Sequence, residues 1–249
     1  MSGHNKWSSI KHKKGAADAK RGKVFTRIVK EIILAARDGG GDLSSNPRLR
    51  TAIQAAKNAN MPKDNIEKAI KRGTGEIEGA AYEEITYEGY GHGGVAILVD
   101  CTTDNKNRTV AEIRHTFSKY GGNMAESGSV AWNFEQKGEL EVKAEGLDED
   151  DFMMQALEIG AEDVQKEDDV FMVYTAVADF YKVLTGMEEQ GFIIVKAELT
   201  MIPKTTINAD EVAEKLLKLI DRLEDLDDAQ KVYANFEISD EVLDRINVE

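Results

Sequence analysis

Lys20, Lys23, Arg27, Lys30 and Arg37, five of the six cations in residues 20–37, stand at spacings of 3, 4, 3 and 7. On an α-helix those steps return to one face, which makes a cationic ridge suited to neutralising a row of phosphates. Lys57, Lys63, Lys68, Lys71 and Arg72 add charge further along, and Lys6, Lys11, Lys13, Lys14 and Arg21 load the stretch around and before the ridge. An ordinary solvated helix face would account for any one of these segments. The distribution of charge over the whole chain argues for more. Residues 1–75 hold 17 Lys/Arg against 6 Asp/Glu, a net +11, whereas residues 76–249 hold 15 against 40, a net −25; together they make the −14 of the chain. A basic head on an acidic body marks the head as the part that meets a polyanion, and contacts to phosphate bring affinity without sequence choice.

Other residues invite chemistry less strongly. Trp7, among His4, Lys6, Lys11 and His12, precedes any apolar periodicity, so it either stacks on an unpaired base or anchors the arm on its own domain. His4 and His12 lack the Cys, His or carboxylate spacing of a metal site. The run Gly89-Tyr90-Gly91-His92-Gly93-Gly94 is glycine-rich, but no Lys-Ser or Lys-Thr follows it and it leads into a strand, so it reads as a tight turn. Asn105, Lys106, Asn107 and Arg108 sit where a strand opens into a helix, a place where free amides and two cations could bind an anion; the plainer reading is an N-capped polar loop. His92 and His115 have no evident Ser or Cys partner, and no nucleophile–base pair, metal cluster or Walker-type loop emerges. The expectation is a protein without catalytic residues, metal or cofactor. The one cysteine, Cys101, lies in the apolar run 95–101 and reads as a small buried residue.

The elements that must position these residues follow from periodicity. Val24, Phe25, Ile28, Val29, Ile32 and Ile33 form the apolar stripe of a first helix, which Gly39, Gly40 and Gly41 end. Asn46-Pro47 starts a second helix as N-cap and first residue, with Leu49, Ala52, Ile53 and Ala56 turned inward. A third runs over 62–72, with Ile66, Ala69 and Ile70 inward and Gly73 as its stop. The body predicts strands at 82–87, 94–101 and 128–135 with a helix over 107–120. It continues with strand 138–144, helix 149–159, strands 162–166 and 170–175, helix 178–189 and strand 192–201, the βαββαβ order of ferredoxin-like folds. A helix over 208–226 and a strand over 231–237 remain, and they complete the unfinished first set. The expected fold is therefore α+β: a three-helix domain at 1–75, a discontinuous domain of 76–135 with 203–240, and a βαββαβ domain at 136–202 inserted in it.

No eighteen apolar residues run together and the N-terminus lacks an apolar h-region, which excludes membrane-spanning helices and a secretory signal. With one cysteine, a cytoplasmic location is expected.

Several stretches resemble the YebC/PmpR family: GHNKWSSIKHKKGAADAKRGKVFTRIVKEI at 3–32, NPRLRTAIQAAKNANMPKDNIEKAIKRGTG at 46–75, YEGYGHGGVAILVDCTTDNKNRTV at 87–110, GGNMAESGSVAWNFEQKG at 121–138 and MIPKTTI at 201–207. The resemblance covers nearly the whole chain and implies a helical N-terminal domain with two α+β domains. It further implies a DNA-binding transcriptional regulator, while eukaryotic relatives include a mitochondrial translational activator, so ribosomal RNA is the alternative target and translation the alternative process. A third reading, an acidic scaffold whose head docks on an acidic partner, remains open. Basic proteins are the partners expected for the acidic domains. His92 stands where the family is expected to have proline, and the chain opens on the family motif without an Arg/Ser-rich presequence, like a bacterial cytoplasmic member.

Overall fold

The computed structural model describes residues 17–167 and 169–248, with the side chains of 17–21 and 247–248 outside the description. Two compact units emerge, one of residues up to Asn133 with Thr205 onward, the other of Phe134–Lys204.

The first unit begins with α1 (Ala17–Gly39), α2 (Pro47–Asn58) and α3 (Lys63–Gly73). Ile32, Ile33, Leu49, Ala52, Ile53, Ala56, Ile66 and Ala69 make their common core, as the 3.6-residue periodicity requires. Asn46 does two jobs at the α1–α2 corner. Its Oδ1 accepts the N–H of Leu49, capping α2, while its Nδ2 donates to Ala35 O and Gly40 O at 2.7 and 2.8 Å and so satisfies carbonyls at the end of α1. The α2–α3 corner turns through Asn60, at φ +55°, with Met61 buried beneath it.

After the helices come β1 (Glu83–Tyr90), β2 (Ala96–Thr103), α4 (Lys106–Lys119) and β3 (Asn123–Met124); beyond residue 204 follow β8 (Ile207–Asn208), α7 (Ala213–Glu224), β9 (Ala229–Ala234), β10 (Phe236–Glu237) and α8 (Asp240–Val248). The sheet order is β3-β1-β2-β9 with antiparallel neighbours, and β8 pairs in parallel with β10. The larger sheet of this unit is a ferredoxin-like sheet in permuted order. The strand that would ordinarily follow β3 comes instead at the front of the set as β1, and the second unit occupies that place in the chain. Val95, Ile97, Val99 and Cys101 share one core with Ile113 and Phe117 of α4 and Leu216, Leu219, Ile220 and Leu223 of α7. Each such Leu or Ile, fully buried, stabilises by about 1.5–3 kcal/mol.

The second unit, β4 (Phe134–Lys143), α5 (Glu149–Ile159), β5 (Asp163–Glu167), β6 (Val170–Thr175), α6 (Phe180–Glu189) and β7 (Ile194–Pro203), has the sheet order β5-β6-β4-β7, antiparallel throughout. Here β6 lies between β4 and β5, which is the split βαβ arrangement. Phe152 of α5 stacks on Phe171 of β6 at 4.4 Å between ring centres and meets Phe192 edge-on at 5.0 Å.

The fold is the expected α+β class, three helices followed by two ferredoxin-like sheets, with local corrections. No strand covers 128–133: a 3₁₀ turn at Ala131–Asn133 leads into β4 at Phe134. The reason is Glu88, whose carboxylate takes the N–H groups of Gly128, Val130 and Ala131, donors that a strand would need for its ladder. The helix expected from 208 starts at Ala213, because Ile207 and Asn208 pair with β10, and the C-terminal helix α8 is an element beyond those expected.

Removing the ring of Phe152 leaves a cavity in a close-packed core, so Phe152→Ala should lose about 3–5 kcal/mol. Urea unfolding followed by circular dichroism tests this; a loss below about 1 kcal/mol would mean that the α5–sheet packing is looser than described.

Candidate nucleic-acid interface

The ridge of α1 does not face solvent as a whole. Lys30 is 5% exposed, and its Nζ donates to Thr102 O at 2.9 Å, Asp227 O at 3.0 Å and Asp228 Oδ1 at 2.9 Å, which uses all three of its protons. Asp228, 4% exposed, receives on its other oxygen Arg108 Nη2 at 2.7 Å, Thr109 Oγ1 at 2.8 Å and Thr103 Oγ1 at 3.0 Å. Burial alone would raise the Asp228 carboxyl, but hydrogen bonds from Arg108, Lys30 and Thr109 outweigh it and hold the group at about 2.

One and two turns earlier on α1, Arg27 donates to Glu224 O and Lys23 to Asp225 O, the latter at 2.7 Å. Both carbonyls lie at the C-terminal end of α7, where backbone acceptors are left without helical partners and the dipole favours cations. At the far end of α1, Arg37 donates to Tyr82 O at 2.6 Å. From α2, Arg48 reaches Glu31 and Asp38 of α1 and Glu84 of β1.

The expected phosphate ridge is thus corrected at Lys30, and at Lys23, Arg27 and Arg37 the cations hold carbonyls of the body. The sequence does carry a signal for this: Leu34 lies 4, 7 and 11 residues after Lys30, Arg27 and Lys23, hence on the same face, and is fully buried. A solvated face would not carry that leucine.

The proposed anion loop is corrected as well. Asn105 caps α4 by accepting the N–H of Arg108 at 3.1 Å, Lys106 pairs with Glu83 at 2.5 Å, and Arg108 is held by Asp228 and Asp104. Asn107 is an exposed first-turn residue. The cations that would attract an anion are neutralised from within. The glycine-rich stretch is a turn, as expected: Gly93 and Gly94 take φ of +70° and +76°, a region that β-carbon-bearing residues avoid. His92 is bound there to Tyr120 O at 2.9 Å, so the histidine ties the turn to the end of α4.

What remains open is the surface of α2 and α3. Lys57, Lys63, Lys68, Lys71 and Arg72 are all exposed or half-exposed. Lys63 has a loose i,i+4 pair with Glu67 at 3.5 Å, while Lys57, Lys68, Lys71 and Arg72 have no ion pair among the described residues. The spacing of Lys68, Lys71 and Arg72 puts them away from Ile66 and Ala69, which are buried. Lys6, Trp7, Lys11, Lys13 and Lys14, with His4 and His12, lie outside the described residues, as do the side chains of Lys20 and Arg21. Among the described residues no group of three His, Cys, Asp or Glu side chains is placed to hold a metal, and no helix is long and apolar enough to cross a membrane.

Comparison with known proteins matches this chain along its length. Residues 5–76 match the family model described as the TACO1/YebC protein N-terminal domain, and residues 82–236 match that of the TACO1/YebC second and third domain. A protein of Syntrophobacter fumaroxidans named "Probable transcriptional regulatory protein" is 57% identical over 248 residues, 99% of this chain and 100% of its own. One of the same name from Desulfosudis oleivorans is 59% identical over 243 residues, covering 97% and 99%. The crystal structure of a conserved hypothetical protein from Aquifex aeolicus superposes with a TM-score of 0.84 at 52% identity, over 94% of this chain and 97% of that one.

Taking one partner from a buried ion pair leaves an uncompensated charge, so Lys30→Ala should destabilise the protein by about 3–5 kcal/mol, whereas Lys57→Ala should stay within about 0.5 kcal/mol. Because the Asp228 carboxyl is depressed when folded, its stabilisation is complete above the unfolded value near 3.9 and is lost as pH falls towards about 2. Asp228→Asn should therefore flatten the pH dependence of stability across that window. Equal stability for the lysine variants, or an unchanged acid limb, would show that the pair is not needed.

Proposed function

Since the chain belongs to the TACO1/YebC family, we propose that it regulates gene expression by binding nucleic acid, as a DNA-binding transcriptional regulator. The observation that carries the reading is the set of exposed cations on α2 and α3 that the fold does not consume. Lys23, Arg27, Lys30, Arg37 and Arg48 are committed to carbonyls and carboxylates, so a docking of the head on the body would hold even if Lys57, Lys68, Lys71 and Arg72 were absent. Among the described residues those four make no ion pair that would explain them. The names of the relatives, transcriptional regulators at 57–59% identity over almost the entire chain, support the same process. Lys6, Lys11, Lys13, Lys14, Lys20 and Arg21 add to the cationic charge in this proposal, with Trp7 stacking on an unpaired base, and phosphate contacts from those cations would add affinity for any duplex. The acidic body, repelled by the same phosphates, faces away and is left to meet basic proteins.

One observation favours structured RNA, and with it a translational role. The exposed face of α3 carries Asp64, Glu67, Lys68, Lys71 and Arg72 with a single amide, Asn65, whereas a helix that reads base edges groups Asn, Gln and Arg. Charge of this kind grips a backbone by shape.

For the quadruple variant with Lys57, Lys68, Lys71 and Arg72 changed to Ala, the slope of log Kobs against log salt on duplex DNA should shrink by about 0.9 for each phosphate that is no longer neutralised, and binding at about 100 mM salt should fall by at least tenfold. Its thermal unfolding should match that of the parent. Unchanged DNA affinity and slope would refute the assignment of α2 and α3; absence of DNA binding together with RNase-sensitive sedimentation with ribosomes would move the function to RNA.

A further inference from the structure

Helix α5 is apolar on two sides. Phe152 and Ala156 are buried in the core of the second unit. Met154, two residues from each of them, stands on the opposite side of the helix and is 60% exposed, with Leu157 beside it 49% exposed. The outer side of a helix in a folded domain is ordinarily polar, so this pair is unusual. Asp150, Met154, Leu157 and Glu158 fall at i, i+4, i+7 and i+8 and share that outer face, with Asp151 at its margin.

The surroundings of the pair are strongly acidic. Residues 134–204 hold 18 Asp/Glu against 6 Lys, a net −12. Asp150, Asp151 and Glu158 of α5 and Glu188 and Glu189 of α6 are exposed, and none of the five makes an ion pair among the described residues. Three of them stand where a helix favours them least. Glu158 lies in the last turn of α5, Glu188 and Glu189 in the last turn of α6, and neither turn contains a basic residue. The C-terminal end is the negative pole of a helix, which repels carboxylates and favours a cation. Gln155, Glu158 and Ile159 of α5 line one recess with Gln190, which follows α6, so the two acidic ends adjoin. Lys182, the sole cation of the two helices, lies beside Gly160 just past α5, and the end of α6 has no cation of its own.

We propose that the outer face of α5, with the recess it shares with the end of α6, docks a basic amphipathic polypeptide segment. Apolar side chains of the segment cover Met154 and Leu157, and its Lys or Arg side chains meet the carboxylates around them. The inference rests on the reading above in which the acidic body meets basic proteins, and it gives that contact a place. Charge complementarity selects the occupant. A polyanion is repelled by the net −12. A second copy of this chain, seated face to face, would bring the same carboxylates against one another. A neutral apolar partner would leave the charges around the pair unanswered. A cationic segment with apolar anchors satisfies both features, in the manner of an amphipathic helix laid on a partner's apolar surface. The unbranched, polarisable side chain of Met154 adapts to anchors of different shape.

The probe is a dye-labelled leucine–lysine peptide of about 18 residues, five turns of helix with leucine along one face. A serine–lysine peptide of equal charge lacks the anchors. Both are titrated with the full-length chain at about 0.1 M salt and followed by anisotropy. Met154→Gln with Leu157→Gln should weaken the leucine–lysine peptide by about 5- to 30-fold and leave the serine–lysine peptide unchanged. Glu158→Gln with Glu188→Gln and Glu189→Gln should weaken both peptides and flatten the salt dependence. These substitutions put good helix formers at exposed positions, and the triple variant should unfold at no lower temperature than the parent because it relieves the helix ends, so binding is read apart from folding. Weakening by the triple variant alone reduces the surface to a bare acidic one and overturns docking through Met154 and Leu157. Leucine–lysine binding unchanged in both variants overturns the α5 face and leaves the acidic body a binder of basic segments elsewhere. No binding of either peptide overturns that reading of the body as well. Self-association in sedimentation equilibrium that Met154→Gln with Leu157→Gln abolishes assigns the face to a second copy and overturns the proposal.

Discussion

The contact on which the first unit depends is the buried pair of Lys30 and Asp228. Two unit charges taken out of water are tolerated only when their remaining hydrogen-bonding capacity is met, and here it is met completely: three acceptors surround the ammonium, and the carboxylate answers to Lys30, Arg108, Thr103 and Thr109. The groups come from α1, the end of β2, the start of α4 and the turn before β9. Three stretches far apart in the chain, around residues 30, 102–109 and 227–228, are thereby brought to one point, and each partner has a required direction.

This changes what the charge asymmetry means. A head of +11 and a body of −25 attract one another, and the structure uses part of that attraction internally, by laying cations of α1 on the carbonyl end of α7. Lys57, Lys68, Lys71 and Arg72, left over on α2 and α3 of the basic head, make no ion pair among the described residues and are exposed. Sorting basic residues by whether the fold already needs them separates the structural ones from those left exposed more sharply than counting them does.

The two sheets show how chain order and spatial order part company. In the second unit the strands follow the ferredoxin-like order directly, and that run of elements is legible from periodicity, with α5 at 149–159 and β6 at 170–175. In the first unit the same arrangement is permuted, with β1 taking the position of a strand that would follow β3. The 128–133 segment looks like that missing strand because Val130 and Trp132 alternate with small residues. Capture of its backbone N–H groups by Glu88 removes it from any ladder, and the result is a braced loop that holds Trp132 at the surface, a position that local pattern alone would assign to a core.

By itself, the sequence determined the helices of the head, the α+β class and the βαββαβ run, because 3.6- and 2-residue periodicities, an Asn-Pro cap and glycine stops act over a few neighbouring residues. It also determined where the positive charge is concentrated. Leu34 on the Lys30 face marks that face as covered, but what covers it, and so which cations are spent, could be decided only by the tertiary structure: the arrival of Asp228 from 198 positions away makes Lys30 a buried partner, while Lys57 stays exposed. The same holds for Trp132 and Tyr90, far apart in the chain, which share the carbonyl of Ser129 because the β1–loop contact through Glu88 brings them together. Long-range electrostatics and backbone capture have no local periodicity, and for that reason they are decided by the fold.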